Sequence, residues 1–268
     1  VTHQEVVSMD LGLKGKRALV LSSSRGLGLG VAQSLAAEGA DILMTARSGD
    51  RLEAAAAAIN GKGAGRASTF VGDLAGNLDA IHAAAMDVLG GVDILIANTG
   101  GPPARTALNV QAEEWLPQFE AMVLPVFKIA ALVLPGMRER GWGRILTIAS
   151  TGVVQPIPNL VMSNALRSSI VGWSKTLANE VAKDGITVNL VLPGRIHTDR
   201  VDELDMANAK AQGKSPEEIA TAARAAIPSG RYGRVEEFAD TVCFLASERA
   251  SYITGCLVRV DGGAVRSI

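Results

Sequence analysis

The sequence predicts an α/β fold, a doubly wound parallel sheet built as a single domain. Three observations carry this. Short apolar runs alternate with longer amphipathic ones along the chain, the pattern of strands covered on both faces by helices. The length of 268 residues suits one such domain. No repeat and no Pro/Gly/Ser-rich linker divides the chain.

The elements follow in order. Residues 17–21 (RALVL) form the first strand, and residues 27–38 form a helix that stops at Gly39. Residues 41–46 are a strand, residues 51–60 an alanine-rich helix ended by Gly61, and residues 68–71 a third strand. Helix 78–89 and strand 92–97 complete the first half. A long helix is expected over most of residues 112–140, with Pro117, Pro125 and Pro135 starting, kinking and ending parts of it. Strand 144–149, a mainly helical stretch 159–183, strand 186–192, helix 235–247 and strand 257–260 follow. Residues 199–228 interrupt the alternation. They are polar helix formers, and Ser215-Pro216-Glu217-Glu218 reads as a capping box with proline at the first helical position. The segment is expected to be a substrate lid over the carboxyl ends of the strands, or else a solvated helical insertion.

Composition narrows the function. The net charge is -1, with 48% hydrophobic and 20% charged residues. No basic face or run appears, so neither a nucleic acid nor an anionic membrane is an expected partner. No apolar run is expected to span a bilayer, and the first residues lack the pattern of a secretory signal. Residues 1–10 read as an N-terminal extension or tag remnant, with Met9 as a possible natural start. Cys243 and Cys256 both lie in apolar runs and are expected to be buried free thiols, which fits a cytoplasmic protein. No metal-ligand cluster is expected.

The chemistry starts at the first strand–helix turn, Ser22-Ser23-Ser24-Arg25-Gly26-Leu27-Gly28. A glycine-containing turn there lets backbone amides approach a diphosphate, and the helix N-terminus adds positive potential. This turn resembles the TGxxxGxG loop of the short-chain dehydrogenases/reductases. Gly72-Asp73-Leu74, Asn98-Thr99-Gly100, Gly143-Arg144-Ile145, Pro193-Gly194 with Thr198, and Asp261-Gly262-Gly263 resemble further motifs of that family. Together they cover roughly residues 11–263, and the general likeness is to the 3-oxoacyl carrier-protein reductases. The resemblance implies a Rossmann-type fold, a homodimer or homotetramer, and an oxidoreductase acting on a small carbonyl or alcohol. It implies a dinucleotide held by Ser22, Ser24, Arg25, Gly26, Leu27, Gly28, Asp73, Leu74, Asn98, Gly100, Pro193, Gly194 and Thr198. Two departures touch that site: Ser22 stands where the family has its first glycine, and Ala97 replaces an asparagine.

The second strand ends Met44-Thr45-Ala46-Arg47, with no carboxylate to accept bonds from a ribose 2′-hydroxyl. Arg47, with Arg25 nearby, suits a 2′-phosphate, so NADP(H) is expected ahead of NAD(H).

The family's active site uses Asn, Ser, Tyr and Lys. Ser150 matches the serine, but Ser163 stands at the tyrosine position and Arg167 at the lysine position, while the asparagine aligns with Met122. A serine hydroxyl is too weak an acid to replace a phenol of pKa about 10. Arginine cannot relay protons but can bind ribose hydroxyls and stabilise an oxyanion. Ser150, Ser163 and Arg167 are therefore the candidate catalytic residues, with water or His197 as proton carrier. The retained scaffold suggests an oxidoreductase with an altered proton route. The lost residues suggest a redox-inactive dinucleotide-binding or regulatory protein, or a non-redox isomerase or lyase. Arg105, on a proline-rich turn, either faces the pocket or lies on the surface. Tyr232 and Tyr252, the only two tyrosines, are expected to serve packing.

Overall fold

A computed structural model describes residues 9–267; the segment expected to be an extension lies, up to residue 8, outside the described residues. The strands are β1 (Arg17–Val20), β2 (Asp41–Ala46), β3 (Ala67–Val71), β4 (Ile94–Ala97), β5 (Gly143–Ile148), β6 (Ile186–Pro193) and β7 (Leu257–Val260). They form one sheet in the order β3-β2-β1-β4-β5-β6-β7, and every neighbouring pair is parallel. The expected doubly wound fold is therefore observed. The chain winds outward in one direction from β1 and in the other from β4, so a crevice opens between their carboxyl ends.

Two apolar layers cover the sheet. On one face pack α1 (Gly26–Ala37), α2 (Gly49–Asn60) and α9 (Val235–Ala246). On the other pack α3 (Leu78–Leu89), α4 (Trp115–Met122), α5 (Leu124–Arg140) and α6 (Val161–Val181). Helices α1 and α9 meet closely because Gly30 has no Cβ; one built there would lie 2.2 Å from Val235 Cγ1. The remaining helices, α7 (Asp199–Gln212) and α8 (Pro216–Ala225), occupy the segment expected to be a lid. The expected capping box is present: Ser215 Oγ accepts from the Glu218 amide at 3.2 Å, and the Glu218 carboxylate accepts from the Ser215 amide at 2.8 Å.

Several expectations need correction. The long helix over 112–140 is divided: a 3₁₀ turn precedes α4, and the chain breaks at Val123, just before Pro125 in the first turn of α5. Pro135 does not end α5; it lies inside it, and the helix closes at Gly141 with φ 65°. Contrary to expectation, the Ala112–Arg140 stretch is long and apolar enough to pass as a membrane span by length and composition alone. In the fold Met122, Val126, Ile129, Val133 and Met137 from it are buried in the core. Cys243 is buried as expected, and burial pushes its thiol up to about 12. Cys256 is exposed, because it immediately precedes the edge strand β7.

Candidate active site

The phosphate loop connects β1 to α1. Ser22 sits at φ 49°, in the left-handed region that glycine occupies without strain. The serine thus keeps the loop in a glycine-like turn at a steric cost. Its carbonyl is tied down by Asn98 Nδ2 at 3.2 Å. Gly28 makes this packing possible, since a Cβ there would lie 2.4 Å from Ser22 O and 2.8 Å from Asn98 Nδ2. Ser23, fully buried, went unrecognised in the sequence. Its Oγ donates to Val20 O at 2.9 Å and accepts from the Thr45 amide at 3.1 Å, clamping the loop to β2. Ser24 follows in the same loop, half-buried. No side chain caps the N-terminus of α1. Its first amides therefore remain donors aimed out of the carboxyl edge, a suitable cradle for a diphosphate.

A cleft of about 350 Å³ opens beside this loop. Its walls bring together Ser22, Arg25, Gly26, Leu27 and Asn98 with Ser150, Ser163, Arg167 and Thr198. These residues come from five separate stretches of sequence, and the fold assembles them at the end of the sheet. Ser150 Oγ accepts from the Gly152 amide at 3.1 Å, so its own hydrogen is left to donate elsewhere. Ser163, 8% exposed, and Arg167, 6% exposed, share the inner face of α6. The Arg167 guanidinium donates to Ile148 O at 3.0 Å, Gly100 O at 2.9 Å and, weakly, Thr99 O at 3.5 Å. It bridges the ends of β4 and β5. Among the described residues no carboxylate lies within ion-pair distance of it, and burial lowers its pKa to about 10. Met122 is buried in the core. Only its carbonyl is used, as acceptor for Thr99 Oγ1 at 3.3 Å.

Comparison with known proteins agrees with the fold. Residues 21–265 match the family model described as enoyl-(acyl carrier protein) reductase. The chain is 36% identical to the 3-oxoacyl-acyl-carrier-protein reductase FabG of Vibrio cholerae over 255 residues, covering 94% of this chain and 98% of that one. The Escherichia coli FabG is likewise 36% identical, over 257 residues. The chain belongs to the short-chain dehydrogenase/reductase family. Among solved structures of this family, L-sorbose reductase from Gluconobacter frateurii, complexed with NADPH and L-sorbose, superposes with a TM-score of 0.91 at 35% identity. That match covers 97% of this chain and all of the other, 100%. An actinorhodin polyketide ketoreductase variant with NADPH superposes with a TM-score of 0.88 at 32% identity, covering 94% and 98% of the two chains.

Among the described residues the lining of the cleft contains no tyrosine, lysine or histidine. His197, considered as a proton carrier, faces a separate cavity of about 490 Å³ with Asp202, Asp205 and Tyr232. Its Nε2 lies 3.5 Å from Asp202, and its side chain is largely exposed. Tyr232 does pack there, its hydroxyl donating to Asp205 Oδ2 at 2.7 Å. Tyr252, expected to pack, is fully exposed. Arg105 pairs with Glu114 at 2.9 Å and does not line the cleft. Its backbone instead pairs with Leu160, tying the 100–105 turn to the start of α6.

Of the remaining expected cofactor residues, Arg25 and Thr198 line the cleft, while Arg47, Asp73, Leu74, Gly100, Pro193 and Gly194 do not. Arg47, with its side chain 83% exposed, lies 3.9 Å from Asp73 at the ends of β2 and β3. Asp73 Oδ1 accepts from the Ala75 amide at 3.0 Å, which shapes the turn, and Leu74 packs on the core beside it. Arg25 pairs with α7, 3.2 Å from Asp199 and 3.7 Å from Glu203. Gly100 contributes the carbonyl that Arg167 grips. Pro193 ends β6. Gly194 allows the chain to pass Asp261, whose Cα would lie 2.6 Å from a Cβ at that glycine. Thr198 stands at the N-terminus of α7.

Proposed function

We propose that this chain is a carbonyl reductase or alcohol dehydrogenase that uses NADP(H) and takes its proton from water rather than from a phenol. The observation carrying the proposal is the convergence in one cleft of the phosphate loop, Ser150 and the buried Arg167. The solved relatives bound to NADPH support the choice of cofactor. So does Ala46-Arg47, where a 2′-hydroxyl reader would carry a carboxylate.

The residues fit the dinucleotide. Ser22 keeps the glycine-like turn, the α1 amides are uncapped, and Gly26, at φ 57°, has only the Thr198 side chain within 4 Å of where a Cβ would be. The loop and the α1 amides would hold the diphosphate, while Arg47 and Arg25 would hold the 2′-phosphate. When bound, the nicotinamide supplies or accepts the hydride. Ser150 donates its free hydrogen to the substrate carbonyl oxygen and polarises it. Arg167 is a cation whose described partners are all neutral carbonyls, so it stabilises negative charge developing on that oxygen. Ser163 is too weak an acid to protonate it, and its role is to order a water molecule. Residues 199–228 serve as the lid over this site.

The missing phenol favours one competing reading, a dinucleotide-binding protein without redox turnover. Calorimetric titration with NADPH and NADH separates the main parts of the proposal. NADPH is expected to bind more tightly, and Arg47→Asp to weaken it. Equal or tighter binding of NADH overturns the cofactor assignment, and binding of neither overturns the dinucleotide reading. Installing the family's pair, Ser163→Tyr with Arg167→Lys, is expected to raise ketone reduction, since a missing general acid costs roughly 10²–10⁴ in rate.

A further inference from the structure

The cleft carries an excess of positive charge that the reading above does not use up. Three guanidiniums line it, Arg25, Arg167 and Arg200, against a single lining carboxylate, Asp199. Arg25 belongs to the phosphate loop and Arg167 to the floor beside Ser150. Arg200, on the first turn of the lid helix α7, has no part in either.

Its present contacts are weak. Arg200 Nη2 lies 3.4 Å from Pro102 O, and Nη1 lies 3.3 Å from a Glu203 carboxylate oxygen. Both are long for charge-assisted hydrogen bonds. Glu203 is itself shared with Arg25 at 3.7 Å, so one carboxylate serves two cations. Half-exposed pairs of this kind contribute little and exchange readily. By contrast, Arg17 holds Asp93 through two nitrogens, at 2.7 and 2.6 Å. Arg200 therefore presents an under-satisfied fork across the mouth of the site, with Leu204 and Leu160 providing apolar surface in the same cleft.

We infer that Arg200 binds a carboxylate on the substrate, so that the molecule handled at Ser150 is an anionic oxo or hydroxy acid rather than a neutral ketone or alcohol. This rests on the reading of the cleft as a carbonyl site. A planar guanidinium matches a carboxylate through two parallel hydrogen bonds. An incoming carboxylate would replace the long contacts to Pro102 and Glu203 with shorter ones.

The test compares a 3-oxo acid with its methyl ester, which differ at the charged end. Each is titrated calorimetrically into the protein saturated with NADP⁺, which cannot reduce them, and into the protein alone, with and without Arg200→Gln; NADPH is titrated separately. The acid is expected to bind more tightly than the ester by about tenfold or more, and Arg200→Gln to remove that preference while leaving ester binding and NADPH binding within about twofold. Equal binding of acid and ester, equal weakening of both by the substitution, or binding of neither overturns the assignment. Loss of NADPH affinity without loss of acid preference assigns Arg200 to the cofactor phosphates instead and also overturns it. If NADPH does not bind, the dinucleotide reading fails. The titrations without cofactor then decide the carboxylate site by the same acid–ester difference.

Discussion

Helix α7, part of the proposed lid, is held in part by one buried carboxylate, and removing it should loosen that segment. Asp205 is 4% exposed, on a helix that is otherwise mostly polar and open. It accepts from Arg195, in the loop after β6, and from the Tyr232 hydroxyl, in the loop before α9. Asp205→Ala leaves the Tyr232 hydroxyl without its acceptor and Arg195 with only a long contact to that hydroxyl, at 3.5 Å. Breaking a fully buried ion pair costs about 3–5 kcal/mol. Arg195 is about one-third exposed, so solvent screening brings the cost below that range, to about 2–3 kcal/mol. For a domain of this size that lowers the melting temperature by about 5–10 °C. Tyr232→Phe keeps the ion pair and removes one hydrogen bond, so it should cost less, about 1–2 kcal/mol. Circular dichroism melts measure the global effect, and limited trypsin digestion at Lys210, Lys214 and Arg224 measures local opening of the lid. The reasoning is refuted if Asp205→Ala melts within about 2 °C of the unmodified protein and the lid is cleaved no faster.

Other predictions follow from single residues. Ser22→Gly relieves a left-handed serine, worth about 1–2 kcal/mol, against about 0.4–1 kcal/mol of added chain entropy in the unfolded state. The melting temperature should rise by about 2 °C, and a fall would show that Ser22 is not strained. An aromatic disulfide reagent should modify Cys256 rapidly in the native protein and Cys243 only after unfolding, because burial holds the Cys243 thiol up to about 12. Fast modification of both thiols contradicts the packing of α9. The edge strand β7 exposes Leu257, and α4 exposes Leu116, so light scattering at micromolar concentration should show a dimer or tetramer; a monomer contradicts this.

Most of the fold was legible because its signals are local. Apolar runs marked the strands, and Gly39 marked the end of α1, where it takes φ 84°. The phosphate loop and Ser150 were legible through resemblance, since each occupies a recognisable stretch. What escaped depends on contacts distant in sequence. Arg167 was legible as a cation of the site, but its grip on the carbonyls of residues 99, 100 and 148 was not. Arg195, Asp205 and Tyr232 lie 10 and 27 residues from one another and carry no shared motif. Cys256 sits in a run apolar enough to read as core. Only the position of β7 at the edge of the sheet explains its exposure.

The central claim is that Ser150 and Arg167 promote hydride transfer without a phenol. The most direct test follows NADPH oxidation in the presence of a 3-oxo acid by the unmodified protein and by Ser150→Ala. The account predicts slow, saturable turnover that Ser150→Ala lowers by about 10²-fold or more, since the substitution removes the donor to the carbonyl oxygen. Turnover unchanged in Ser150→Ala, or no hydride transfer from a protein that binds both NADPH and the acid, would contradict it.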